Sequence, residues 1–210
     1  MLEFLSFSLP PLATNAFLLG SPDRGEAVVI DAPLGIGEAI GPELDERGWR
    51  LTGIYLTHGH FDHILGVPEL AAHHAPIFAH RAEAELLANP QAQLDLFQVP
   101  LTAEPVAVDH WIEPGDHEIL GERADVRLVP GHSPGSIIFH FPSLEAAFVG
   151  DTVFAGGIGR TDLPGGSFDT LAEAIRNEIY TLADITRLHP GHGPATGVKV
   201  EREGNPFVTA

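Results

Sequence analysis

Apolar residues along the chain recur at two spacings, which divide it into strand-like and helix-like stretches. The runs AVVID (27–31) and GIYLT (53–57) are rich in β-branched and aromatic residues, end in polar loops and predict strands. Between them Ile36, Ile40 and Leu44 follow the spacing of one helix face, although Pro42 counts against a continuous helix. The first 20 residues are apolar but broken by Pro10-Pro11, and predict two strands joined by a turn. Ile64 to His74 predicts a helix interrupted by Pro68, PIFAH (76–80) a strand, and Arg81 to Ala88 a short helix. From Val106 to Gly150 the runs HEIL, ADVRLV, SIIFHF and AAFVG alternate with Gly, Pro and charged turns. Phe168 to Leu182 is the clearest helix. Ser167 can cap it, Asp169 lies in its first turn, and Leu171, Ile175, Ile179 and Leu182 form one stripe. Strands with intervening helices in both halves predict an α/β fold, its sheets covered by helices on their outer faces.

Composition narrows the class. With 210 residues, 44% of them apolar and 19% charged, the chain suits one globular domain (1–210), or one fold of two similar halves. No apolar run reaches 18 residues, so no membrane span is expected. Glu3 and the lack of a basic segment argue against a secretory leader, and a cytoplasmic location is the expectation. There are no cysteines, which excludes disulfides and thiolate–metal bonds. The formal charge of −18, from 11 basic and 29 acidic residues, disfavours phosphate backbones, so nucleic acid is not an expected partner.

Candidate chemistry concentrates in T-H-G-H-F-D-H, residues 57–63, directly after GIYLT. His58, His60, Asp62 and His63 are four potential ligands within six residues, and a tight loop can aim them to more than one side. Imidazole and carboxylate donors suit zinc, iron or manganese. Three further segments place His132 (VPGHSPGS), Asp151 (FVGDTVF) and His192 (LHPGHGP) beside glycines, which permit close backbone approach. Asp31, ending AVVID, is a candidate for orienting a ligand histidine. Arg160 and Asp162 in GRTD can form an ion pair that braces the metal loop.

The order H-x-H-x-D-H, then His132, Asp151 and His192, resembles the ligand series of the metallo-β-lactamase superfamily. GDTVFAGGIGRTDLPGG (150–166) and HPGHGP (189–194) are most similar to its glyoxalase II-like hydrolases. The resemblance implies a four-layer αββα sandwich. It also implies two divalent metal ions, zinc first, with iron or manganese also compatible. One ion would sit on His58, His60 and His132, the other on Asp62, His63 and His192, with Asp151 bridging both. The implied nucleophile is a metal-bridging hydroxide and the implied substrate a small-molecule thioester, such as S-D-lactoylglutathione or a related acyl-thiol. A monomer or small homo-oligomer is expected.

Two departures from that branch stand out. Full-length glyoxalase II enzymes carry a helical C-terminal extension, whereas 18 residues follow His192 here. They also continue the last metal histidine as H-E-Y-T, where this chain reads His192-Gly193-Pro194-Ala195. The thiol carrier is therefore left open. Lys199 and Arg202, the cations of this tail, are candidates for a substrate carboxylate. A mono-iron persulfide dioxygenase of the same superfamily, using His58, His132 and Asp151, is the alternative. A nuclease is disfavoured by the acidic charge.

Overall fold

The computed structural model describes residues 2–209. Its chain divides into two units, one ending at Ile112 and the other beginning at Glu113, and each is built on one six-stranded sheet.

In the first unit the sheet order is β1 (Glu3–Leu9), β2 (Thr14–Ser21), β3 (Glu26–Ile30), β4 (Arg50–Tyr55), β5 (Ile77–Ala79) and β6 (His110–Trp111). The first three strands run antiparallel as a meander, and β3 to β6 are parallel neighbours. Helix α1 (Ile36–Arg47) crosses from β3 to β4. It buries Ile36, Ile40 and Leu44 against Leu18, Val29, Ile54 and Leu56. The helix continues through Pro42, so burial of this stripe outweighs the missing backbone hydrogen bond. Its first turn is held by Glu69, whose carboxylate accepts from Gly35 N–H (2.8 Å) and Gly37 N–H (2.9 Å).

The expected helix over 64–74 is instead two elements. Helix α2 (Phe61–Ile64) ends before Gly66, and a 3₁₀ helix, Val67–His73, starts afresh with Pro68 in its first turn, where a missing N–H is harmless. Gly66 lies so close to the main chain of Pro33 that a Cβ there would be 2.1 Å from its carbonyl oxygen. The helix expected at 81–88 is a 3₁₀ turn, Arg81–Glu83, followed by α3 (Ala84–Ala88), and α4 (Pro90–Leu96) extends this segment. Only Pro90 and Leu94 are buried in α4, too few to show a stripe in the sequence.

The second unit orders its sheet β14 (Thr196–Gly197), β13 (Arg187–Pro190), β10 (Ala146–Gly150), β9 (Ile137–Phe141), β8 (Glu122–Leu128) and β7 (Gly115–Ile119). A separate hairpin, β11 (Val153–Phe154) and β12 (Gly157–Ile158), follows β10. Helix α5 (Phe168–Ala174) is capped by Ser167 and continues as a π-helical turn, Ile175–Ile179. Leu171, Ile175 and Ile179 recur every four residues, a step that drifts about 40° on an α-helix, and a wider turn keeps all three buried. They pack with Val129, Ile138, Ala147, Val149 and Leu188. The chain closes with α6 (Val198–Gly204), on which Glu201 is buried and accepts from Thr196, Gly156 and Asn205.

Candidate metal centre

The 57–63 loop leaves the end of β4, and Asp31 leaves the end of β3. These strands are parallel neighbours with Ile30 opposite Tyr55, so their ends emerge side by side. Asp31 takes a left-handed backbone (φ 60°), unfavourable for a side chain other than glycine but tolerated best by Asp and Asn. Its carboxylate accepts from Thr57 N–H (2.8 Å), Thr57 Oγ1–H (2.8 Å) and His63 Nδ1–H (2.7 Å). Because the Thr57 hydroxyl donates to Asp31, it accepts from His58 Nδ1 at 3.0 Å. One carboxylate thus sets the tautomer of two histidines, His63 directly and His58 through Thr57. In the neutral rings both leave their lone pair on Nε2.

All four loop candidates are buried: His58 1%, His60 8%, Asp62 5% and His63 0% exposed. The His58 ring lies 4.7 Å from that of His60 and 4.2 Å from that of His63. Asp62 is held from β2, where the buried Thr14 hydroxyl donates to Oδ2 at 2.7 Å. That same oxygen stands 3.6 Å from His63 Nε2.

In the second unit, β10 and β13 repeat the device. They are parallel neighbours with Gly150 opposite Pro190, and Gly191 N–H donates to Gly150 C=O at 2.8 Å. Asp151 and His192 therefore leave adjacent strand ends together. His132 comes from the turn between β8 and β9 and donates Nδ1–H to the carbonyl of Arg160 at 2.8 Å. Its Nε2 is 3.7 Å from Asp151 Oδ2, and His192 Nε2 is 3.3 Å from the same oxygen. Gly159 makes this approach possible. A Cβ there would fall 1.8 Å from the Asp151 carbonyl oxygen and 3.0 Å from His132 Nδ1.

The donor chemistry of each unit fits a metal ion. With Nδ1 protonated, the Nε2 of His63 and of His132 presents a lone pair toward a carboxylate oxygen. Two such acceptors repel each other in a buried place, and a cation between them reverses the sign. The first unit brings together His58, His60, Asp62 and His63, and the second His132, Asp151 and His192.

Of the remaining candidates, the expected pair of Arg160 and Asp162 forms, and Arg202 is engaged elsewhere. Arg160 forms a bidentate ion pair with Asp162 at 2.8 and 2.9 Å, while its carbonyl orients His132. The guanidinium beside Asp162 holds that carboxyl down at about 2. Arg202, expected at a substrate carboxylate, is bonded to Asp184 (2.7 Å) and to the carbonyl of Tyr180 instead. Lys199 lies exposed on α6. Sequence reasoning did not reach the roles of Thr14, Thr57 and Gly159. Thr57 stands inside the loop motif, but nothing in the string shows that its hydroxyl links two other residues.

The family described as Metallo-beta-lactamase superfamily matches residues 9–192. The chain belongs to this superfamily, and its two large sheets with helices are the metallo-β-lactamase fold. It is 33% identical to a Haemophilus influenzae protein named hydroxyacylglutathione hydrolase GloC, over 90% of each chain. Among solved structures it is similar to the BLEG-1 B3 metallo-β-lactamase, with 35% identity and a TM-score of 0.90 over 99% of this chain and 100% of the other. It is also similar to TTHA1623 in a di-iron-bound form, with 31% identity and a TM-score of 0.86 over 97% and 100%. Among the described residues no helix is long and apolar enough to cross a membrane.

Proposed function

We propose that the chain is a di-metal hydrolase of acyl-thioesters, with S-D-lactoylglutathione or a related acyl-thiol as substrate. His58, His60, Asp62 and His63 of the first unit and His132, Asp151 and His192 of the second are the residues that would hold the metal. The observation that carries this reading is the buried confrontation of acceptors, His63 Nε2 with Asp62 Oδ2 and His132 Nε2 with Asp151 Oδ2, and His192 Nε2 stands 3.3 Å from that same Asp151 oxygen. The name of the Haemophilus relative supports the thioester. Zinc is the first candidate, and the di-iron form of the 31% identical structure makes iron its rival.

When bound, the metals supply a nucleophile drawn from water at neutral pH and polarise the substrate carbonyl. The chain's own residues hold the donors ready. Asp31 and Thr57 keep His63 and His58 in one tautomer, the Arg160 carbonyl does so for His132, and Thr14 fixes the rotamer of Asp62. A thiolate with an ordinary pKa near 8.5 leaves without a proton donor, so this reading needs no general acid. Of the two tail cations, Arg202 is spent on Asp184, which leaves Lys199 for a substrate carboxylate.

A second reading, opening of a β-lactam, is favoured by the 35% identical B3 enzyme. One protein batch, assayed for metal content and then given acyl-glutathiones, a β-lactam, and glutathione persulfide with oxygen, separates the readings. Release of free thiol in proportion to bound metal is expected. Turnover confined to the β-lactam, or oxygen uptake without thioester cleavage, would overturn the proposal.

A further inference from the structure

The loop that carries His58 and His60 is gripped from a side no ligand motif describes. Gly59, between the two histidines, donates its N–H to Glu83 Oε2 at 2.6 Å. Its carbonyl accepts from Gln93 Nε2 at 2.9 Å, and Phe61 N–H donates to Gln93 Oε1 at 3.0 Å. Three successive peptide groups, 58–59, 59–60 and 60–61, are therefore pinned by two side chains. Both come from the helical segment of Arg81–Glu83, α3 and α4.

The contact is close enough to demand glycine at 59. A Cβ there would lie 2.9 Å from Leu86 Cβ and 3.1 Å from Glu83 Oε2. Glu83 is buried, with 1% of its surface exposed, so this carboxylate is part of the interior and not a solvated charge. Gln93 also donates to Leu86 C=O at 3.3 Å, which fixes which end of its amide carries the nitrogen. His60 is the N-cap residue of α2, yet its ring makes no capping bond. Gln93 satisfies the first N–H of that helix, that of Phe61, in its place.

We propose that Gln93, assisted by Glu83, is a positioning residue that brackets His60 and sets the aim of the His58–His60 pair toward a metal ion. It rests on the metal reading above. Among natural residues only a side chain with both a donor and an acceptor at this reach can hold the peptides on both sides of His60. Glutamate would turn an anion toward the Gly59 and Leu86 carbonyls, and methionine would keep the volume while removing both bonds.

The test uses the full chain and two probe ions, zinc for affinity by competition with a chelator and cobalt(II) for its visible spectrum. Gln93→Met and Gln93→Glu are expected to weaken zinc about tenfold or more and to alter the cobalt(II) spectrum. Melting of their metal-free forms should stay close to that of Gln91→Ala, a change on α4 whose side chain bonds Ala103 and Asp95 instead of the loop. Glu83→Gln, which keeps an acceptor for Gly59 N–H, should bind zinc better than Glu83→Ala. Unchanged affinity and spectrum in both Gln93 variants would overturn the clamp. So would a metal-free melting loss that accounts for the whole loss in the loaded protein. A wild-type chain that bound neither ion would sink the metal reading itself, and the clamp with it.

Discussion

Four candidate ligands of the first unit sit within six consecutive positions, while the three of the second come from loops after β8, β10 and β13. The first group is aimed by side chains: Asp31, Thr57 and Thr14 reach the ligands, and Glu83 and Gln93 reach the peptides between them. The second is aimed by main chain. A carbonyl at Arg160 orients His132, and a peptide bond from Gly191 to Gly150 ties the loops of Asp151 and His192 together. Contiguous ligands need only one loop held, and a few hydrogen-bonding side chains suffice. Scattered ligands need three backbones drawn close, which residues without a Cβ allow.

The sharpest way to break this contrast is Gly159→Ala. One methyl would have to share space with the Asp151 carbonyl oxygen at 1.8 Å, so the 157–160 segment must move and release His132 from Arg160. Loss of bound metal by elemental analysis and a fall in thioester turnover of about a hundredfold or more are expected. Near-normal metal content would show that the second group is not held by backbone approach.

Asp31→Asn makes the reciprocal test on the side-chain-braced group. Asparagine tolerates φ 60° as aspartate does, so the backbone is spared. It cannot serve Thr57 N–H, Thr57 Oγ1–H and His63 Nδ1–H with two carboxylate oxygens. Zinc affinity should fall about ten- to a hundredfold, the usual consequence of removing a partner that orients a ligand histidine. Wild-type affinity in this variant would mean that His58 and His63 are held by something other than the carboxylate.

The same contrast explains what the sequence showed beforehand. Residues 57–63 were legible as candidates because four potential ligands crowd one short loop, and Asp31 because it ends a predicted strand. His132, Asp151 and His192 were legible only through their order along the chain, since each alone is a polar loop residue. What brings Asp151 and His192 together is the parallel pairing of β10 with β13, a long-range fact no local pattern carries. Glu83 and Gln93 were invisible for a different reason. Their partners are peptide groups, and every residue has those. Helices suffered similarly: the α1 stripe outweighed Pro42, whereas Pro68 began a new helix instead of bending an old one.

The smallest expected effect concerns acid. His189 lies on β13, beside Phe148 with ring centroids 5.3 Å apart, and burial pushes its pKa down to about 4, with Arg187 adding to the shift. Below its ordinary value of 6.5 the unfolded chain takes up a proton that the folded chain refuses. The stability of the neutral folded form is therefore complete above pH 6.5 and declines as pH falls toward 4. After allowance for the part of the ring still in contact with solvent, the loss is about 1–2 kcal/mol. His189→Gln removes the titration, so urea unfolding of the metal-free variant should lose less stability between pH 6.5 and 4 than the parent. Every other group is common to the two proteins, so the difference between the two slopes isolates position 189. A parallel decline in the two would place the acid sensitivity of the second unit on residues other than His189.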